Sequence, residues 1–176
     1  SSFKINRTQL SNLNIFRKND IRGFITAKGV LKGKISDPDI SINFNVDYPH
    51  YKGIRIREIW EGEIINENKE FILNMKNRYS AIPSFLSIKF NSKLNVDNLT
   101  FSRVFNSTKG TLGIVKENDN YIWRADNFPI DELELSLGNN QFDRINGIIN
   151  GGGSISYDQS NVDGRLAWSL GKYRNI

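Results

Sequence analysis

The chain has 176 residues, with 24 Lys and Arg against 19 Asp and Glu, and a mean hydropathy of -0.46. That is enough for one sizeable domain or for part of a longer protein. The absence of cysteine excludes disulfides, thiolate chemistry and cysteine-ligated zinc, and a single histidine excludes a histidine metal cluster.

The net charge of +5 arises from basic and acidic residues that are interleaved along the chain. This reads as a solvated surface; no run of like charge marks a nucleic-acid or anionic-membrane partner. No stretch approaches the roughly 20 apolar residues of a membrane helix. The sequence opens on Ser1-Ser2, so a membrane anchor or an export signal is expected to lie outside it.

Residues 1–22 read as a lead-in less regular than the rest of the chain. From Ile40 the pattern alternates without error: Ile40, Ile42, Phe44 and Val46 face one way, Ser41, Asn43 and Asn45 the other. That is a strand with one apolar face. Further period-two stretches are Ile54-Arg55-Ile56, Phe71 to Met75, Ile88-Lys89-Phe90, Tyr121-Ile122-Trp123 and Leu166 to Leu170. Turn chemistry is expected at Asp37-Pro38-Asp39, Tyr48-Pro49-His50, Asn66 to Lys69, Glu117 to Asn120, Gly138-Asn139-Asn140 and Asp158 to Asn161.

Helix signals are weak. Asp97 to Phe105 allows a turn or two, capped by Asp97 or Asn98. Phe128 to Leu137 fits either period, and Gly138 directly after it favours a strand. Gly151-Gly152-Gly153 within a strand pattern predicts a bulge or sharp bend. Short strands with short turns imply a largely antiparallel meander.

No amphipathic helix of three or more turns is evident to cover the apolar faces. The sheet has three ways out: closure into a barrel, packing as a β-sandwich, or curling into an open trough. A closed sandwich or barrel is the physical default on composition alone. As a sandwich, the chain would be an interaction or adhesion module without a lipid groove.

Two longer stretches carry a resemblance. GFITAKGVLKGKISDPDISINFNV, from Gly23, runs glycine, apolar, lysine, glycine, then Asp-Pro and an alternating strand. The stretch from Asp126 runs Pro-Ile-x-x-Leu, a spacer, Ile-Asn-Gly-x-Ile-x-Gly-Gly-Gly-Ser-Ile and a second alternating strand. In this order they resemble the TamB family, the translocation and assembly module proteins of the AsmA-like, bridge-like lipid-transfer group. The likeness is closest to the cyanobacterial and plastid branch and covers the chain from about Gly23 onward.

The resemblance implies an all-β fold: an elongated, curled, mostly antiparallel sheet forming an open, β-taco-like trough with an apolar interior. Residues 1–176 would then be one β-rich segment of a longer TamB-like chain in the periplasm, anchored to the inner membrane through parts outside it. The implied work is non-enzymatic: carrying phospholipid, or assisting the assembly or translocation of unfolded outer-membrane proteins, beside a BamA/TamA-like outer-membrane barrel.

On that reading three rungs line the groove. They are Ile40, Ile42, Phe44 and Val46; Leu133, Leu135 and Leu137; and Leu166, Trp168 and Leu170. An acyl chain of about 16 carbons gains on the order of 12 kcal/mol gross if fully buried, at about 0.8 kcal/mol per CH₂. Immobilisation and partial exposure reduce that figure.

Catalysis finds little support. His50 sits in an expected solvated turn, and Asp37/Asp39 and Glu132/Glu134 are turn or strand-edge carboxylates with no cleft assigned to them. The glycine triplet lacks the Gly-Lys-Ser/Thr and the following helix of a phosphate loop. The scattered aromatics read as packing rather than base stacking. No cofactor or metal is implied.

Overall fold

The computed structural model describes residues 1–176 except 19, 35–36, 52–53, 56–58, 68–69, 79–81, 106, 131–143, 157, 159–160 and 175–176. The strands are β1 (Ser2–Gln9), β2 (Ile21–Lys34), β3 (Asp37–Tyr51), β4 (Ile54–Arg55), β5 (Ile59–Glu67) and β6 (Glu70–Arg78). They continue with β7 (Ser84–Phe90), β8 (Val96–Phe105), β9 (Thr108–Glu117), β10 (Asn120–Pro129), β11 (Arg144–Ser156) and β12 (Val162–Arg174). Between β1 and β2 lie a 3-10 turn, Leu10–Asn12, and a short helix α1, Asn14–Lys18.

The strands form one antiparallel sheet in the order β1-β2-β3-β5-β6-β7-β8-β9-β10-β11-β12, with β4 paired to the end of β3. Apart from that short branch, each strand lies beside its sequence neighbour, as a meander requires. Among the described residues β1 pairs only with β2 and β12 only with β11, so the sheet does not close. The fold is therefore an open, all-β sheet, and neither the closed barrel nor the sandwich is formed. Its accessible surface of 12349 Å² exceeds the about 8,800 Å² that a compact monomer of this mass exposes.

The alternating stretches lie in strands, Ile56 falling outside the described residues, and the strands run longer than the motifs. Asp37-Pro38-Asp39, expected as a turn, begins β3 and pairs with Lys34, Gly33 and Lys32. Pro38 has no N–H to give a ladder, and its carbonyl accepts from the Asn66 side-chain amide at 2.6 Å instead. Tyr48-Pro49-His50 likewise lies inside β3 and not in a turn. The chain bends there without leaving the sheet: Gly23 (φ +124) sits opposite Tyr48 (φ +50), at a register shift between Arg22 and Phe24.

Asp97 to Phe105, expected as a weak helix, is part of strand β8. Its alternation of Asn98, Thr100 and Ser102 with Leu99, Phe101 and Arg103 matches period two, and pairing on both sides overrides the local capping signal. The expected turn at Glu117 to Asn120 is the β9–β10 hairpin, with Asn118 at φ +53. The segment 1–22 contributes β1, the turn and helix after it, and the first residues of β2. Phe128 and Pro129 end β10; the remainder of the Phe128 to Leu137 stretch beyond Ile130, and Gly138-Asn139-Asn140, fall outside the described residues.

The glycine triplet is not a bulge. Gly151, Gly152 and Gly153 stay in register with Ala125, Arg124 and Trp123 on one side and Leu166, Arg165 and Gly164 on the other. The irregularity comes earlier, at Gly147 (φ +127), where β11 shifts against β12. The triplet instead permits close approach. A Cβ at Gly153 would run into the Asp163 carbonyl, and one at Gly164 would meet the Trp123 ring.

Candidate ligand-facing sheet

Pairing register assigns the two faces of the sheet. One row of paired positions reads Phe3, Gly29, Ile42, Ile64, Leu73, Ile88, Leu99, Ile114, Trp123, Gly153 and Gly164. The next row on the same face reads Ile5, Ala27, Phe44, Gly62, Met75, Leu86, Phe101, Leu112, Ala125, Gly151 and Leu166. No polar side chain interrupts either row from β1 to β12. Between them, on the other face, runs Lys4, Lys28, Asn43, Glu63, Asn74, Ser87, Thr100, Gly113, Arg124, Gly152 and Arg165.

The polar face is knit by pairs that cross strands. Lys76 meets Glu61 at 3.1 Å and Lys89 meets Glu70 at 3.1 Å. Asn74 accepts from the Ser87 hydroxyl at 2.9 Å. These exposed groups add little stability. Their effect is to hold this face in water and so fix which face is left apolar.

Between β5 and β10 the sheet bends toward the apolar face. The rings of Trp60 on β5 and Phe101 on β8 lie 6.4 Å apart. Three strand intervals separate them, and Phe101 shares its row with Gly62, two residues from Trp60. In a flat sheet their backbones would lie roughly 16 Å apart, further than the two side chains reach. Phe128 on β10 continues the contact, 5.4 Å from Phe101.

Coverage of the apolar face is uneven. Over β2 and β3, Leu10 of the 3-10 turn is buried with Ala27, Phe44 and Val46, and Phe16 of α1 packs against that cluster. Phe44 and Val46 are each only 7 % exposed. Ile40 and Ile42 are half-buried further along the same strand. At the far edge, Leu166 and Trp168 are 59 % and 49 % exposed. Their shared face follows from Leu166 pairing with Gly151 and Trp168 with Ile149. Leu170 lies in β12 with its side chain outside the described residues, and Leu133, Leu135 and Leu137 lie outside them altogether. The structure thus brings Ile40, Ile42, Phe44, Val46, Leu166 and Trp168 onto one face, at opposite ends of the sheet.

Two features escape a reading by motif. The first is the aromatic contact of Trp60, Phe101 and Phe128, drawn from three strands whose meeting depends on curvature. The second is Arg103, which lies on the apolar face of β8 and is only 4 % exposed. Its Nη1 donates to the Pro129 carbonyl at 2.7 Å, and its Nε lies 3.4 Å from the Ser84 hydroxyl. The only sequence signal for it is its even spacing after Leu99 and Phe101, which marks the face without indicating burial.

His50, expected in a solvated turn, is a β3 residue whose Nδ1 is buried and finds no hydrogen-bond partner among the described residues. No three His, Asp or Glu side chains gather to hold a metal ion among the described residues.

The fold and its faces define an open antiparallel sheet, with two adjacent rows free of polar side chains on one face and the buried Arg103 beside them. No family model, no curated protein and no solved structure matches the chain.

Proposed function

We propose that this chain is a segment of a TamB-like envelope protein, working as a non-enzymatic conduit or scaffold in the periplasm. The apolar face is the inside of an open trough. It carries phospholipid acyl chains or apolar stretches of unfolded outer-membrane proteins, with a BamA/TamA-like barrel as the outer-membrane partner. One observation carries this reading: two adjacent rows of positions hold no polar side chain along the sheet from β1 to β12, and the sheet does not close.

Hydrophobic energetics support it. An open sheet that exposes such a face in water gives up stabilisation of about 25 cal/mol for each Å² left uncovered. A closed sandwich recovers that energy, and this chain does not form one. A guest that buries the face supplies the missing contacts, and the lack of polar traps along the two rows lets a hydrocarbon slide.

Site-specific photocrosslinking tests the reading. Photoreactive residues at Leu73, Ile88 and Leu99 face the groove; those at Asn74, Ser87 and Thr100 are their neighbours on the polar face. In cells or with liposomes, the first set is expected to capture phospholipid or unfolded barrel protein at least several-fold more than the second. Equal capture from the two faces would remove the basis for a conduit.

A further inference from the structure

A second concave site lies apart from the apolar rows, where α1, β2 and β3 meet. It encloses about 650 Å³, and its lining includes Arg17, Arg22, His50, Gln9, Ser11 and Tyr48. That volume suits a small organic molecule rather than a bare ion.

The site is rich in donors and poor in acids. Arg17 is steadied by Asn14, whose Oδ1 accepts from Nη2 at 2.6 Å. Arg22 is steadied by Asp20, whose carboxylate accepts from Nε at 3.0 Å. Each contact uses one nitrogen of a guanidinium that carries five N–H donors, so further donors stay available. Among the described residues Asp20 is the one carboxylate of the lining, and Arg22 already engages it. Gln9, Ser11 and Tyr48 add neutral hydrogen-bonding groups.

The backbone is held out of its relaxed range here. Asp20 (φ +51), Tyr48 (φ +50) and Gly23 (φ +124) all line this cavity. Left-handed conformations cost a non-glycine residue of order 1–3 kcal/mol each and collect at ligand clamps. The His50 ring, with Nδ1 unpartnered among the described residues, adds a second departure from a relaxed interior. The positive φ at Gly23 and Tyr48 goes with the β2–β3 register shift, and Asp20 follows α1 with its N–H donating to the Arg17 carbonyl, so what points to a ligand is the cavity itself with two arginines in its lining.

We propose that this cavity binds a phosphate ester, its oxygens held by the Arg17 and Arg22 guanidinium groups and its organic part placed against Tyr48. Paired guanidinium forks match the geometry of phosphate oxygens. The ester is either a soluble phosphorylated compound or the head group of an anionic lipid. The site stands independently of the apolar-face reading, since none of its chemistry uses the two apolar rows.

The test uses glycerol 3-phosphate followed by calorimetry, and vesicles of phosphatidylglycerol in phosphatidylcholine against phosphatidylcholine alone followed by co-sedimentation. The protein is compared with Arg17→Gln/Arg22→Gln, with Arg17→Lys/Arg22→Lys, and with Arg124→Gln, an exposed arginine on β10 away from the cavity. Binding to at least one phosphate probe is expected, with a tenfold or greater loss in the glutamine pair. The lysine pair, which keeps charge but lacks the fork, is expected to lose several-fold, and Arg124→Gln to match the parent. Arginine-dependent binding of glycerol 3-phosphate assigns a soluble ester; binding confined to the anionic vesicles assigns a lipid head group.

Failure of both probes at millimolar concentration would overturn the proposal. So would equal binding by parent and glutamine pair, or an Arg124→Gln loss as large as that of the cavity pair. Circular dichroism confirms the fold of each variant. If the glutamine pair loses its β signature, the lysine pair decides, and parent-like binding by it counts against the site. Photocrosslinking at Leu73, Ile88 and Leu99 reads the apolar face separately, so the two ideas fail independently.

Discussion

Strands β3 and β12 carry the same alternation and meet opposite fates. In β3, Phe44 and Val46 are 7 % exposed; in β12, Val162, Leu166 and Trp168 are 71 %, 59 % and 49 % exposed. The difference lies in their neighbours. β3 is flanked by β2 and β5 and roofed by Leu10 and Phe16, whereas β12 has one neighbouring strand among the described residues and lies outside that buried cluster. Alternation therefore reports which face a side chain joins. It does not report whether that face is sealed.

The largest expected effect lies at the sealed end. Phe44→Arg places an unpaired charge under Leu10 and is expected to cost at least about 4 kcal/mol, enough to unfold the chain or the β1–β3 end of it. Urea titration by tryptophan fluorescence and circular dichroism measures it. A native-like midpoint for this variant would erase the contrast between the two strands, because it would show β3 to be as open as β12.

Arg103→Ala comes next, at roughly 3 kcal/mol, since it strips the Pro129 carbonyl of its donor and leaves a hole where a side chain only 4 % exposed had been. It sharpens the comparison by testing a sealed region in the middle of the sheet that owes nothing to α1. Gly153→Val is expected to cost roughly 2 kcal/mol, because a Cβ there collides with the Asp163 carbonyl. Its effect should be local. Hydrogen exchange at the β11–β12 ladder should rise well above the parent rate while the β2–β3 ladder keeps its protection.

The same contrast explains how far the residues alone reveal the fold. Period-two alternation marks Ile40 to Val46 and Leu166 to Leu170 correctly as strands, because the pleat alone sets that period. It also places the proposed groove residues Ile40, Ile42, Phe44 and Val46 on one face. It gives no sign that a five-residue helix folds back over the last two, since Asn14 to Lys18 is too short to show a helical stripe. Turn residues mislead where the sheet absorbs them. Asp37-Pro38-Asp39 and Tyr48-Pro49-His50 have local turn chemistry, yet partner strands on β3 hold both in the ladder, the second at the expense of a positive φ at Tyr48. The glycine triplet suggests a bulge or bend; the register shift lies at Gly147 instead, and the triplet allows close approach to β12. Curvature is illegible throughout: the meeting of Trp60 with Phe101 depends on three intervening pairings that no single stretch encodes.

The smallest expected effect tests the open end most directly. Leu166→Gln replaces a side chain that is already 59 % in water, so its stability cost should stay below about 0.5 kcal/mol. Combining it with Phe44→Ala makes the comparison quantitative. Phe44→Ala alone should cost about 3 kcal/mol through the cavity it leaves under Leu10. The two residues share a register row but sit eight strand pairings apart, from β3 to β12, so the pair should be additive to within about 0.5 kcal/mol. Urea denaturation of the four proteins closes the cycle. A coupling above about 1 kcal/mol would mean that the two ends of the sheet touch in solution. The trough would then be closed, and the exposure of β12 would vanish along with the contrast it makes with β3.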